Sequence, residues 1–429
     1  MGASRRDYRP ASHDYRPRLA DAELQARLAA TGAVLIEGAR GCGKTATGLR
    51  AAASAVRLDV DDEARAAGLL APTLLLEGAR PRLIDEWQLV PASWNHVRHE
   101  VDAGGGRPGQ FILTGSAVPS DDATRHSGAL RFSRLRMRPM SLAEAGYSSG
   151  DVSLGALLEG AVVRAADPGL DIRGLAERIS VGGWPALLDR TVKEAQVALR
   201  GYLDETRRVD LARADGVARD PENVGRVIRS IARHVATAAS ARSIAADVGG
   251  ADGPIDHHTV LGYLAALTRV FVLEDLPAWT PALRSRSALR TAPTHHFVDP
   301  SLAVAALGAD PERLIRDVQT LGLLFESLVV RDLRVYAGPL DATVFHYRDS
   351  TDLEADAIVE RRDGTWAAFE VKLGLGAVDE AARTLLRVAD RVDPARHGPP
   401  AVLAVITGWG YGYRRPDGVS VIPIGALAP

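Results

Sequence analysis

Lysine is almost absent from this chain. Lys+Arg total 52, and only Lys44, Lys193 and Lys372 are lysine, which leaves 49 arginines. A codon bias toward arginine and alanine accounts for that background, so lysine survives where arginine fails. A compact ammonium reaches one phosphate oxygen or one water as a point charge, whereas the planar guanidinium fork is too broad for that task. The scarcity marks two candidate sites, around Lys44 and Lys372. Cysteine is scarcer still: Cys42 stands alone, which excludes an internal disulfide framework and any cysteine-based zinc site. No apolar run approaches the roughly 20 residues that span a bilayer. The start of the chain is polar and arginine-rich, without the apolar stretch of a secretory signal. The expectation is a cytoplasmic protein with no membrane association. A net charge of −2 argues against a general polyanion-coating protein, so any contact with DNA or RNA needs a local patch.

Hydrophobic content of 46% and charged content of 25% are those of a globular protein, and 429 residues exceed one ordinary core. Residues 1–18 carry a duplicated tetrapeptide, Asp7-Tyr8-Arg9-Pro10 and Asp14-Tyr15-Arg16-Pro17, without hydrophobic periodicity, and read as a loose arm. Leu24 and Leu28 suggest a short helix over 19–28. Strand-like runs follow at Ala33–Glu37, Val56–Val60, Arg82–Ile84, Phe111–Leu113 and Phe132–Met137, alternating with helical segments. This alternation predicts a mostly parallel sheet flanked by helices over 19–146. Residues 147–219 read as a helical connector. Over 220–285 the order is a helix with Val227, Ile231 and Val235, a second helical stretch, a glycine-rich turn, a helix over 256–267 and a strand-like Val270–Leu276. That order predicts a winged-helix-like module, either DNA-binding or dimerising. Arg226, Arg229 and Arg233 share one face of its first helix, which a solvated stripe explains equally well. Residues 286–429 return to an α/β pattern.

Gly38-Ala39-Arg40-Gly41-Cys42-Gly43-Lys44-Thr45 follows a strand and precedes a helix, which satisfies the phosphate-binding loop pattern G-x4-G-K-[ST] in its required context. Its glycines let backbone N–H groups turn inward onto phosphates, and the helix start adds partial positive charge. ATP is therefore expected on Gly38, Arg40, Gly41, Cys42, Gly43, Lys44, Thr45 and Ala46, with Lys44 bridging the β and γ phosphates and Thr45 ligating Mg²⁺. Cys42, at a helix start, is expected to be acidified and open to alkylation. Arg82-Leu83-Ile84 ends in Asp85-Glu86, where Asp85 would hold Mg²⁺ through water and Glu86 would activate the hydrolytic water. Thr114 and Ser116 close the next strand where a γ-phosphate sensor belongs. Arg131 and Arg134 are candidates for stabilising transition-state charge, in cis or across a homo-oligomer.

A second constellation surrounds Lys372. Glu326 falls in a helical run over 321–333, Asp356 in Glu354–Val359, and Glu370-Val371-Lys372 closes a strand beginning at Trp366. A three-residue turn Arg362-Asp363-Gly364, with Gly364 left-handed, pairs 361 with 365 and therefore 356 with 370. That register puts Glu354, Asp356, Glu370 and Lys372 on one face and leaves Ala355, Ala357, Val359, Phe369 and Val371 for burial. Asp356 and Glu370 then stand about 5 Å apart at Cα, close enough to share a divalent metal. The arrangement resembles the PD-(D/E)XK nuclease site, with Asp356, Glu370 and Lys372 on its D…ExK positions and Glu326 on the preceding helical acid. A nuclease-like fold retained without cleavage is the other reading.

Across nearly the whole chain, GARGCGKTATG, LIDEWQLVP, FILTGS, LRMRPMSLAEAG, GGWPALL, GYLDETRRVDLA, LLFESLVVRDL, EADAIV and FEVKLG occur in order. Together they resemble the large prokaryotic family of AAA-type ATPases carrying a C-terminal domain of unknown function, number 4143. The resemblance implies a P-loop parallel sheet, a winged-helix middle, a restriction-endonuclease-like α/β end, and ATP binding and hydrolysis with Mg²⁺. One departure is Leu130, which stands where the family has a glycine before the fifth-strand arginine. Two functional readings follow. ATP turnover could gate a Mg²⁺-dependent nuclease, or it could drive a switch whose terminal domain only binds a partner or nucleic acid.

Overall fold

The computed structural model describes residues 15–115, 127–212, 216–249, 255–281 and 292–429. The chain divides into two compact units, one formed chiefly by residues up to Pro139 and the other chiefly by Met140 onward.

The first unit follows α1 (Leu19–Ala30), β1 (Ala33–Glu37), α2 (Lys44–Ala51), β2 (Ser54–Arg57), α3 (Asp62–Leu70), β3 (Arg82–Asp85), α4 (Ser93–Ala103), β4 (Phe111–Gly115) and β5 (Phe132–Arg136). Its strands form one sheet in the order β2-β3-β4-β1-β5, parallel throughout. Parallel strands covered on both faces need apolar runs, and Ala33–Ile36 and Phe111–Leu113 are all buried. The second strand ends at Arg57 instead of Val60. Val60 is exposed, and Asp61 caps α3 by accepting from the Ala64 N–H at 2.8 Å, so the chain has already turned. The arm is not loose throughout. Its described end is tied down, with Tyr15 bonded to Thr47 at 2.8 Å and the buried Arg18 donating to the carbonyls of Cys42 and Arg138, both at 2.8 Å.

The second unit begins with β6 (Val152–Ser153), α5 (Leu154–Leu158), α6 (Ile172–Val181), α7 (Val192–Glu205), α8 (Pro221–Arg233), α9 (Ala241–Gly249) and α10 (His257–Arg269). It continues through α11 (Pro300–Leu307), α12 (Pro311–Arg316), α13 (Val318–Ala337), β7 (Ala342–Arg348), β8 (Glu354–Arg361), β9 (Trp366–Lys372) and α14 (Val378–Arg391). The chain ends in β10 (Val402–Thr407), β11 (Tyr413–Arg414), β12 (Ser420–Pro423) and β13 (Leu427–Ala428). A six-stranded sheet runs β11-β12-β10-β9-β8-β7, antiparallel from β7 to β9 and parallel from β9 through β10 to β12. Val378, Ala381, Ala382, Leu385 and Val388 recur at helical spacing and seat α14 on this sheet. Helices α8, α9 and α10 stand where the winged-helix-like module was expected. The strand expected at Val270–Leu276 is a pair of isolated antiparallel bridges, Leu273 with Phe297 and Leu276 with Thr294. Phe271 adopts φ of 60°, a left-handed conformation that interrupts an extended run. The connector and the terminal sheet belong to one unit, and β13 pairs in parallel with β6, a closure that local patterning does not encode. Among the described residues, no helix is long and apolar enough to cross a membrane.

A buried ion network organises this unit. Arg331 donates to Asp299 at 2.8 Å and to Asp332 at 2.6 and 2.8 Å. Asp332 also accepts from the Leu142 N–H at 3.0 Å, and Asp299 from the Gly183 N–H at 3.0 Å. Removing one partner of such a set strands the other charge in a low dielectric. Asp332→Ala is expected to destabilise the protein by about 3–5 kcal/mol, read as a lower urea midpoint at unchanged slope. A loss below about 1 kcal/mol would mean that the guanidinium finds water instead.

Candidate functional site

All strands of the first sheet point the same way, so the loop after β1, the carboxylates after β3 and the end of β4 emerge at one edge. Gly38 must be glycine because a Cβ there would lie 2.0 Å from the Met137 carbonyl oxygen. Gly43, at φ 105°, caps α2 in a left-handed conformation that favours glycine. The loop encloses a cleft of about 360 Å³ lined by Arg40, Gly41, Gly43, Lys44, Thr45 and Ala46, with Arg57 and Glu86 opposite. Two predicted contacts do not line it. Gly38 lies beneath the loop. Cys42 is fully buried, its Sγ 3.5 Å from the Met137 carbonyl, so packing shields the thiol that the sequence suggested was open to alkylation.

Lys44 is buried, and its ammonium donates to the carbonyls of Gly38 and Ala39 at 2.9 and 2.8 Å. Thr45 Oγ1 donates to Asp85 Oδ1 at 2.8 Å, and the Thr114 hydroxyl donates to the same oxygen. Asp85 is 1% exposed. Its Oδ2 has no hydrogen-bond partner among the described residues and lies 3.5 Å from the Arg57 guanidinium. The Thr45 hydroxyl and the Asp85 carboxylate, whose Oδ2 is the unsatisfied buried acceptor, form an oxygen donor set that fits magnesium with its waters. Glu86 adopts a left-handed backbone at φ 56°. Its N–H donates to Thr114 Oγ1 at 3.2 Å, and its carboxylate accepts from the Gln88 side chain. Thr114 is fully buried; it positions Asp85 and Glu86 rather than facing the cleft. Ser116 lies outside the described residues.

The arginine expectation changes. Arg131 precedes β5, and its carbonyl accepts from the Ala33 N–H at 3.0 Å, at the start of β1 and hence at the sheet edge opposite the phosphate loop. Its side chain is bonded to Asp102 at 2.8 Å. Neighbouring Leu130 takes φ of 67° with its side chain exposed, the conformation a glycine adopts without strain. Arg134 is mid-strand and paired with Glu37 at 2.9 Å. Besides Arg40 of the loop itself, the arginine that lines the cleft is Arg57, which sequence reading missed. The available signal was its place at the end of β2, the strand beside the one that ends in Asp85.

Residues 30–146 match the AAA domain model. Residues 172–313 match Domain of unknown function (DUF8612), and 321–427 match Domain of unknown function (DUF4143). Similarity to a solved Walker-type ATPase of Pyrococcus abyssi extends over 70% of this chain and 99% of that one, at 13% identity and a TM-score of 0.42. No curated protein matches this chain. The phosphate loop, Asp85, Glu86 and Thr114 thus lie inside the AAA domain, and the Lys372 cluster lies inside the DUF4143 region.

In the DUF4143 region the hairpin has the register of a three-residue turn. Arg361 N–H donates to Thr365 at 2.9 Å, Gly364 takes φ of 88°, and Glu360 pairs with Trp366 down to Ala357 with Phe369. One step further brings Asp356 opposite Glu370. Ala355, Ala357, Val359, Phe369 and Val371 are buried. The opposite face is not uniformly polar, because α14 covers its Ile358, Trp366 and Ala368 end. Lys372 Nζ lies 2.6 Å from Glu370 and 3.4 Å from Asp356, and the Val371 N–H donates to Asp356 at 2.7 Å. These residues line a cleft of about 240 Å³ together with Thr384 and Arg387 of α14, two side chains that sequence reading also missed. Among the described residues, no group of three or more His, Cys, Asp or Glu is arranged to hold a metal ion. The two acids here grip an ammonium.

Electrostatics mark this cluster strongly. Burial raises Glu370 to about 8, the Asp356 charge pushes the same way, and Lys372 opposes both. Burial, followed by Asp356, also carries Glu326 well above the usual carboxylate range. Burial alone would lower Lys372, but Asp356 and Glu370 raise it. Glu370 and Glu326 therefore hold protons in the folded state that the unfolded chain has released above about pH 4.3, so folding stability falls as pH rises toward 8. Glu370→Gln removes its share of that dependence. Its melting temperature should gain on wild type as pH rises from about 5 to about 8, then run parallel; thermal melts with a pH-independent difference would refute the assignment.

Proposed function

We propose that this protein is a Mg²⁺-dependent ATPase whose nucleotide cycle controls a nuclease-like C-terminal domain acting on nucleic acid. The observation that carries the ATPase part is the meeting of the Thr45 and Thr114 hydroxyls on the buried carboxylate of Asp85, at a cleft lined by the glycine loop and Glu86. The AAA domain match supports ATP binding and hydrolysis at the level of the domain. The loop amides and Lys44 bind the β and γ phosphates, and Thr45 with Asp85 would hold the magnesium. Magnesium, when bound, neutralises phosphate charge. Glu86 orients and deprotonates the attacking water, and Thr114 keeps it in place by accepting from its N–H. Arg57, from across the cleft, supplies the positive charge that Arg131 is too distant to give.

The nuclease part rests on the hairpin register that gathers Asp356, Glu370 and Lys372, with Glu326 close enough to feel their charge. Cleavage would use the acids to hold Mg²⁺ and Lys372 to orient water or the scissile phosphate. The second reading, a nucleotide-driven switch with a non-cleaving terminal domain, is favoured by Lys372 filling the space between the two acids.

Two measurements decide. Lys44→Ala should abolish ATP turnover, and Glu86→Gln should retain ATP binding while turnover falls about 10²–10⁴-fold; a Lys44→Ala protein that hydrolyses ATP normally would overturn the first part. Mg²⁺-dependent cleavage of DNA and RNA panels should be present in wild type and lost in Glu370→Ala. Absence of cleavage in both leaves the switch.

A further inference from the structure

The second unit has two clefts that share Arg229. One, of about 350 Å³, is lined by Arg200 of α7, Arg207 of the turn after it, and Arg226 and Arg229 of α8, with Asp204 and Glu222. The other, of about 610 Å³, is lined by Arg229, Arg233 and Arg313, with Asp317 at the start of α13. The Arg226-Arg229-Arg233 face of α8 is therefore more than a solvated stripe, because it forms one wall of a trough.

The charge in this trough is only partly compensated. Arg207 is neutralised by Asp204 at 2.8 Å and Glu222 at 3.1 Å. Among the described residues, Arg200, Arg226 and Arg229 form no ion pair with an acid, while Arg313 lies close enough to Asp317 to interact with its charge. Arg226 reaches only the Val248 carbonyl, at 3.4 Å, and Arg229 only that of Ala306, at 3.3 Å. Arg233 touches Asp247 at 3.7 Å. Elsewhere on the surface Arg131 sits on Asp102, Arg348 on Glu354 and Arg415 on Asp417; what sets the trough apart is that its arginines line two adjoining clefts. Six arginines against four acids, counting the Asp247 that touches Arg233, leave the trough at +2, on a chain whose total is −2.

We propose that this trough binds the phosphate backbone of a nucleic acid strand. Unpaired guanidinium forks match phosphate oxygens two at a time. From Arg226 to Arg233 the helix rises about 10 Å at ~1.5 Å per residue, which faces about three phosphates of one strand at ~3.4 Å each. A single small anion would use one such fork, whereas a row of forks along two joined clefts suits a polyanion. Backbone contacts carry no base information, so binding is independent of sequence. The proposal goes beyond the ATPase reading and stands without it.

The test is fluorescence anisotropy of the full chain with labelled mixed-sequence oligonucleotides, single- and double-stranded, over a salt series. Wild type should bind at low salt with affinity falling steeply as salt rises. The triple variant Arg229→Ala, Arg233→Ala, Arg313→Ala should bind at least about tenfold more weakly and lose about 2–3 from the slope of log K against log salt. Arg348→Ala with Arg173→Ala, a surface-charge control, should bind as wild type does. An unchanged circular-dichroism spectrum and melting temperature in the triple variant show that it is folded; if that variant does not fold, Arg229→Gln with Arg313→Gln is held to a clear fall in affinity and a slope loss of about 2. The proposal is overturned if wild type binds neither oligonucleotide, if the folded variant binds as tightly as wild type, or if an acidic polyglutamate peptide binds the trough better than the oligonucleotides. Loss of ATP turnover in wild type would sink the ATPase reading and leave this one standing.

Discussion

A buried carboxylate needs partners, and Asp85 draws those of its Oδ1 oxygen and its one ion pair from segments that have little else in common. Thr45 arrives from the loop after β1, Thr114 from the end of β4, and Arg57 from the end of β2. Leaving an unpaired charge that deep costs several kcal/mol, so the carboxylate draws three segments to one point. Because β4 lies between β1 and β3, its last side chains are the ones that can bridge the phosphate loop to the acids. The strand order is thus what gives Thr114 its position. Glu86, one residue beyond Asp85, is pushed into a left-handed backbone and held there by a hydrogen bond to the same threonine. Conformations of this kind cost of order 1–3 kcal/mol and persist where neighbours over-determine them.

The second unit repeats the logic with the opposite sign. Arg331 is a buried cation, and Asp299 and Asp332 carry its charge outward to the backbone N–H groups of Gly183 and Leu142. Three sequence stretches far apart along the chain, around 140–146, 182–188 and 323–333, meet there. The close approach explains their small residues, since a Cβ on Gly183 would fall 1.9 Å from the Met140 carbonyl oxygen. The Lys372 cluster is a third case. There the acids outnumber the cation, and protonation of Glu370 and Glu326 relieves the excess negative charge.

Arginine serves in this chain in three distinct settings: buried as Arg18 and Arg331, paired with acids on the surface as Arg131 and Arg348, and without an ion pair in the trough as Arg226 and Arg229. Composition cannot separate these, because the residue type is the same in each. Lysine is the more informative residue here, since both Lys44 and Lys372 sit in clefts against carbonyl or carboxylate oxygens.

What the sequence determined by itself was local and periodic. The glycine loop between a strand and a helix, the acids closing an apolar strand, and the hairpin register counted from Gly364 all follow from backbone sterics and from side-chain periods of two or 3.6, which act over a few residues. The tertiary structure decided everything that depends on which end of a strand a residue occupies and on what packs above it. It removed Arg131 to the far edge of the sheet, turned Cys42 inward, made Thr114 a positioning residue, set Arg57 against the cleft of the phosphate loop, and brought Thr384 and Arg387 to a cleft for which their own neighbours in sequence carry no signal. It also anchored the end of the arm through Arg18 and joined β6 to β13. The physical reason is the same in each instance: burial and ion pairing are set by contacts between segments distant in sequence, and a one-dimensional pattern holds no record of those distances.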